Sequence, residues 1–273
     1  MQKIETKIIY PIFMPQKGCP FQCIYCDQNK ITNVPAVGTH SCCPENDTVS
    51  LNIEKIKNFI LKHKNKYKEI AFYGGTFTSL DRDEITSYFA QICPFLDDKT
   101  FFRVSTRPDA LSDEMLRFLS FWRVNTIELG IQSFSDHVLT KSERGYTSLV
   151  AEKACKMVLE HGFCLSIQFL IGLPGETIDS IKENIKKLVE IKPDFVRLYP
   201  LIVLKDTKLE TLYKKGEYKA LSLDDAVDIC SLYLKECENN DIKVIKIGLH
   251  SDISKDSVIA GPYHERFGEL VKK

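Results

Sequence analysis

Three cysteines stand close together in the stretch KGCPFQCIYCDQNK, as Cys19, Cys23 and Cys26. Thiolates at these spacings can wrap a short loop around one iron–sulfur cluster, whose usual protein ligands are cysteines. A cubane held by three of them leaves its fourth iron open to a ligand from outside the chain. Zinc is the other chemistry open to such a set. A structural zinc is closed by four ligands, while a catalytic zinc keeps one position open. The fourth ligand would then come from His40, Cys42 or Cys43. Gly18 and Pro20 keep the segment out of a helix, so its backbone can follow a bound group.

The other thiols read differently. Cys93, Cys155, Cys164, Cys230 and Cys237 lie in amphipathic or apolar segments and are expected to be ordinary buried thiols. The chain has 273 residues, 44% of them hydrophobic. It can therefore bury a core without the disulfides of a small secreted domain. Lys+Arg and Asp+Glu both count 37, which gives a formal net charge of zero. No general basic field points to nucleic acid. Lys55, Lys57, Lys62, Lys64, Lys66 and Lys68 read as a solvated face of a helix near 51–67. Apolar runs such as CLSIQFLIGL at 164–173 are too short to span a bilayer. The N-terminal MQKIETKIIYPIF has no cleavage site after an apolar stretch. A cytoplasmic protein without membrane contact is expected.

The elements that must position the cysteines alternate along the chain. Strand-like runs occupy 7–14, 69–74, 101–106, 126–132, 164–171, 194–200 and 243–249, with helix-like segments between them. One helix is predicted over 178–190, with Thr177 as N-cap and Ile178, Ile181, Ile185, Leu188 and Val189 as its apolar stripe. Another covers 222–238, opened by Ser222 and Asp225, with Leu223, Val227, Cys230 and Leu234 on one face. Strands that are apolar on both faces and separated by helices indicate βαβ units around a parallel sheet. Their number fits a closed or nearly closed α/β barrel. In such barrels the chemistry collects in loops at the C-terminal ends of the strands. The unusual motifs obey that rule. The cysteine loop follows the first strand, GGTF the second, STRPD the third, GIQS the fourth, GLPGET the fifth and YPLIVL the sixth.

CPFQCIYC matches the C-x3-C-x-(aromatic)-C signature of radical S-adenosylmethionine enzymes, with Tyr25 as the aromatic. FYGGTFTSL, STRPD, ELGIQSFSDHVLTKSERGYT, GLPGET and RLYPLIVLKDTKLETLYKKGEYKALS are similar, in order and wording, to the radical domain of the Elongator catalytic subunit family. The middle motifs also resemble oxygen-independent coproporphyrinogen III oxidases. The resemblance covers roughly residues 7–250. It implies an α/β fold, a partial (β/α)6 TIM-like barrel over residues 1–220, with residues 221–273 as a C-terminal helix, strand and tail.

The resemblance also implies a 4Fe-4S cluster on Cys19, Cys23 and Cys26 and S-adenosylmethionine on the open iron. An electron, from a donor such as ferredoxin or flavodoxin, cleaves the sulfonium to methionine and a 5′-deoxyadenosyl radical that takes hydrogen from a substrate. By the same resemblance Gly74 and Gly75 meet the methionyl ammonium, Thr76 stands where many members carry a carboxylate, and Ser105 where relatives often carry glutamate. Arg144 matches the arginine used against the methionyl carboxylate, a pairing suited to a guanidinium fork. Gln132 and Gln168 stand at ribose or amino-acid contacts, or are satisfied interior amides. Leu173, Tyr199 and Leu201 lie near adenine. Arg107 has Asp109 at hand as an ion-pair partner. His250, Tyr263 and His264 are the weaker candidates for a substrate mouth closed by the tail. The Elongator likeness suggests RNA as substrate; the oxidase likeness suggests a porphyrinogen. A zinc-stabilised binding protein using the same cysteines is the non-enzymatic alternative.

Overall fold

The computed structural model describes residues 8–14, 19, 21–26, 49–249 and 253–273. In chain order the elements are β1 (Ile8–Phe13), α1 (Ile53–Lys62), β2 (Lys68–Tyr73), α2 (Arg82–Ile92), β3 (Thr100–Thr106), α3 (Asp113–Phe121), β4 (Val124–Gln132), α4 (Asp136–Lys141) and α5 (Ser148–Glu160). There follow β5 (Cys164–Ile171), α6 (Ile178–Ile191), β6 (Phe195–Pro200), β7 (Val203–Leu204), α7 (Lys208–Lys214), α8 (Leu223–Asn239), β8 (Lys243–Ile247), β9 (Val258–Ala260) and α9 (Phe267–Val271).

Seven strands form one parallel sheet in the order β1-β2-β3-β4-β5-β6-β8, so β1 and β8 are its two edges. The alternation read in the sequence is this α/β architecture, a partial barrel whose six strands are extended by β8. Strands β2, β4 and β6 are buried along their whole length, as expected where one face meets helices and the other the barrel interior. The outer face carries the apolar core. Phe72, Phe77, Phe89 and Phe102 interlock there, with Phe89 and Phe102 ring centres 4.6 Å apart.

Local signals set the element ends. Thr177 caps α6 through the Ser180 backbone, and the Ser180 side chain returns a bond to the Thr177 backbone. Ser222 accepts from the Asp225 N–H at the start of α8. Two expectations need correction. Ile178 belongs to the predicted stripe of α6 but is 56% exposed, because the first turn borders an open cavity beside the GLPGET turn. The lysine-rich helix ends at Lys62, so Lys64 and Lys66 lie in the turn after it. Lys68 is not on it either. It opens β2, is fully buried, and donates to Asp97 at 2.7 Å.

The short antiparallel pair β7–β9 was not legible in the sequence. It brings the C-terminal segment back over the end of β6, pairing Val203 with Ala260 and Leu204 with Val258. Gly261 makes this possible: its φ is +108°, and a Cβ there would lie 2.9 Å from the Leu201 carbonyl oxygen. Among the described residues no helix is long and apolar enough to cross a membrane.

Candidate active site

Cys19, Cys23 and Cys26 all line one cavity of about 210 Å³ at the C-terminal ends of the strands. Their loop is held from below by backbone bonds, Ile24 N–H to Ser142 O and Leu209 N–H to Ile24 O. Ile24 and Tyr25 fix it further by packing with Val138, Leu173 and Leu209. Cys19 Sγ lies 3.1 Å from Thr76 Oγ1, at the end of β2. Among the described residues no three His, Cys, Asp or Glu side chains come close enough to hold one metal ion. The three thiols therefore share a cavity without converging on a point. Three thiolates around one cavity are a donor set that suits a cluster taking its ligands at separate corners. His40, Cys42 and Cys43 lie outside the described residues.

Two arginines face this loop. Arg144, buried at 6% exposure, donates from Nη1 to Cys23 Sγ at 3.2 Å and to Tyr25 Oη at 3.1 Å. Its other nitrogens meet Tyr146 Oη and the Gly130 carbonyl. None of these partners is a carboxylate. Arg107 is bidentate to Asp109, both bonds 2.9 Å, as its sequence neighbour offered. It also reaches toward Cys23 Sγ at 3.8 Å, donates to the Arg144 carbonyl, and stacks over Phe21.

Gly74, Gly75, Ser105, Gln132, Gln168, Tyr199 and Leu201 line the same cavity. The need for glycine at 74 comes from the protein itself, since a Cβ there would stand 2.5 Å from the Met14 carbonyl oxygen. Gln132 sits beyond a bulge in β4 with φ +67°, and its Oε1 is buried without a partner among the described residues. Gln168 donates its Nε2 to Glu128 and still lines the cavity. Leu173 is buried beneath the cysteine loop and lines a different cavity. Tyr263 and His264 are not in the lining; Tyr263 packs on Ile202, Leu204 and Ile253. The tail residues that do line the cavity are Leu249 and Ile253. His250 lies outside the described residues.

Residues 13–188 match the Radical SAM superfamily, and residues 193–273 the Radical_SAM C-terminal domain. The chain belongs to the radical SAM superfamily. It is 29% identical over 173 residues to the tRNA uridine(34) acetyltransferase of Methanocaldococcus jannaschii, covering 62% of this chain and 31% of that protein. It is 27% identical over 256 residues to the heme chaperone HemW of Lactococcus lactis, covering 92% of this chain and 65% of the relative. The chain thus spans about a third of the first relative's length and under two thirds of the second's. The archaeal Elp3 structure from Methanocaldococcus infernus superposes with a TM-score of 0.70 at 21% identity, over 82% of this chain and 57% of that one.

As a radical SAM enzyme, the protein uses a 4Fe-4S cluster and S-adenosylmethionine. The cavity fits both. It offers three thiols, a buried guanidinium whose hydrogen-bond partners include no carboxylate, and the amide of Gln132.

The second cavity, about 610 Å³, lies beside the GLPGET turn and includes Glu176. The Glu176 carboxylate accepts the Gly172 N–H at 2.6 Å, while its Oε1 is shielded and unpartnered. Burial raises this carboxyl from its ordinary 4.5 to about 7, against the lowering effect of the Gly172 bond. With the folded value raised, the protonated form stabilises the fold fully below the unfolded value, and that contribution is lost as pH rises through about 7. Glu176→Gln keeps an acceptor and removes the charge. It is expected to raise stability by about 1–2 kcal/mol near pH ~8 and to change it little near pH ~5. Thermal melts at the two pH values check this; equal effects at both would contradict the buried-carboxyl reading.

Proposed function

We propose that Cys19, Cys23 and Cys26 hold the cluster and that the cavity beside them holds S-adenosylmethionine, with Arg144 on its carboxylate and Gln132 on a ribose hydroxyl. The single observation that carries this reading is the shared cavity: three thiols, a carboxylate-free Arg144 and Gln132 all line it. Tyr25, Gly74, Gly75, Ser105, Tyr199 and Leu201 complete the walls, Thr76 meets the cavity through its contact with Cys19, and Leu173 supports the loop from behind. When bound, the cofactor pair supplies a reductively generated 5′-deoxyadenosyl radical able to take hydrogen from an unactivated carbon. The chain's own residues orient the methionyl end, and Leu204, Leu249 and Ile253 give the cavity an apolar wall on the tail side. A ferredoxin or flavodoxin is the proposed electron donor, and the cytoplasm the proposed compartment. Residues 1–220 and 221–273 are proposed as core and C-terminal part.

For the substrate, RNA is supported by the tRNA-acting relative, and a tetrapyrrole by the heme chaperone, which covers more of both chains. Dithionite reduction in the presence of S-adenosylmethionine tests the reaction class. Formation of 5′-deoxyadenosine is the expected result; a cluster-loaded protein that forms none contradicts it.

Arg144→Ala tests the cofactor grip. The thiols remain, so the cluster is expected to be retained, while the cofactor loses a charge-assisted contact of about 1.5–3 kcal/mol. The dissociation constant should rise roughly ten- to hundredfold. An unchanged constant with the cluster intact removes Arg144 from the cofactor site.

A further inference from the structure

Beneath the cofactor cavity the inward face of the sheet carries charge on four of its strands. Glu69 on β2, Arg103 on β3, Glu128 on β4 and Arg197 on β6 are all buried. Arg103 is claimed by both carboxylates, at 2.8 Å to Glu69 and 3.2 Å to Glu128. Arg197 Nε lies 2.9 Å from Glu128 Oε2 but makes no well-directed hydrogen bond there. Its other nitrogens donate to Tyr199 Oη at 3.1 Å and Tyr73 Oη at 2.6 Å. Those two phenols are the floor of the cofactor cavity, and burial keeps both protonated.

One more cation joins them. Lys246 on edge strand β8 is opposite Arg197 in the strand register, on the same side of the sheet. Val244 and Ile247 of β8 pack into the outer core. Lys246 is half-buried and has no acidic partner among the described residues. Burial, and then the neighbouring Arg197, lower the pKa of its ammonium. Across the open edge β1 presents IIYPIF, which carries no charge. Among the described residues, the ion pairs of Arg103 and Arg197 are to Glu69 and Glu128 alone, which leaves the charge of Lys246 unmatched there. A half-buried ammonium held against a guanidinium is costly unless an anion joins it.

We propose that Lys246 and Arg197 form an oxyanion subsite at the open edge of the barrel, which takes a carboxylate or phosphate group of the substrate. The proposal rests on the radical reading of the cavity above it: an acid group anchored at Lys246 would hold the substrate's carbon skeleton under the cofactor, against Tyr73 and Tyr199. A guanidinium and an ammonium on one side of an acid group supply charge-assisted bonds of the strong kind. Neither residue belongs to the cysteine loop or to the proposed cofactor contacts.

The test uses the cluster-loaded protein under anaerobic conditions, titrated calorimetrically with sodium phosphate and, separately, with sodium propionate, each against sodium chloride of equal ionic strength. One of the two is expected to bind, and which one binds tells a phosphorylated substrate from a carboxylated one. Lys246→Met should weaken that binding at least tenfold, and Lys246→Arg should keep it within severalfold. A readout free of variants is amine labelling of Lys246 followed by peptide mass spectrometry. The bound anion should slow labelling severalfold at Lys246 and not at the exposed Lys186. No binding of either anion with the cluster intact, or equal binding by wild type and Lys246→Met, overturns the subsite. Absence of the cluster in the wild-type protein would instead count against the radical reading itself.

Discussion

Alanine at any one of Cys19, Cys23 or Cys26 is expected to remove the iron–sulfur cluster and all 5′-deoxyadenosine formation. Each thiol opens into the same cavity from a different point of the loop. No other cysteine of the described residues lines it, so a lost ligand has no stand-in there. Cys23→Ala should also be the least stable of the three variants. Its sulfur accepts from Arg144 and faces Arg107, and its loss leaves two buried guanidinium groups short of a partner. Cys155→Ala and Cys42→Ala are the controls. The first removes a fully buried core thiol far from the cavity, and the second tests the zinc alternative. Both should keep full iron and sulfide. Iron loss in Cys42→Ala would break the three-ligand assignment.

Glu128→Ala is expected to destabilise the barrel by about 3–5 kcal/mol, because it strips the shared anion from two buried arginines. Glu128 accepts from Arg103 and Gln168 and stands against Arg197, and its own carboxylate is fully buried. With the carboxylate gone, Glu69 alone faces Arg103, Arg197 and Lys246. The effect should appear as a fall in the denaturant midpoint in both the cluster-free and cluster-loaded protein. A loss of under about 1 kcal/mol would mean that water reaches the network and screens it.

Most of the sheet was legible because parallel strands buried on both faces leave near-continuous apolar runs, and all seven predicted runs are strands of the one sheet. The caps of α6 and α8 were legible because Ser and Thr at a helix start have one dominant use. Lys68 was misplaced because a lysine run continues from the helix into the strand, and only the fold brings Asp97 to it. The β7–β9 pair escaped because two- and three-residue strands leave no periodicity to read.

The site divides along the same line. The cysteine loop announces itself, since three thiols in a glycine- and proline-broken segment have no packing role. Arg144 and Gln132 came from the wording of the motifs. The ionic floor of the barrel did not come through, although a signal was there. EIAFYG, FFRVST, TIELGIQ and DFVRLYP each hold a charged residue inside an apolar strand, and such residues must find one another in the interior. For the tail, the expectation that it folds back on the barrel agrees with β9, but the side chains over the cavity are Leu249 and Ile253, not Tyr263 or His264. An apolar cover suits a cavity that must exclude water.

Metal and sulfide analysis of protein purified without oxygen bears most directly on the cluster. About four irons per chain with matching sulfide and a brown absorbance are the expected result for a three-cysteine cluster site. One zinc per chain without sulfide would contradict it, and with it the radical chemistry assigned to the cavity.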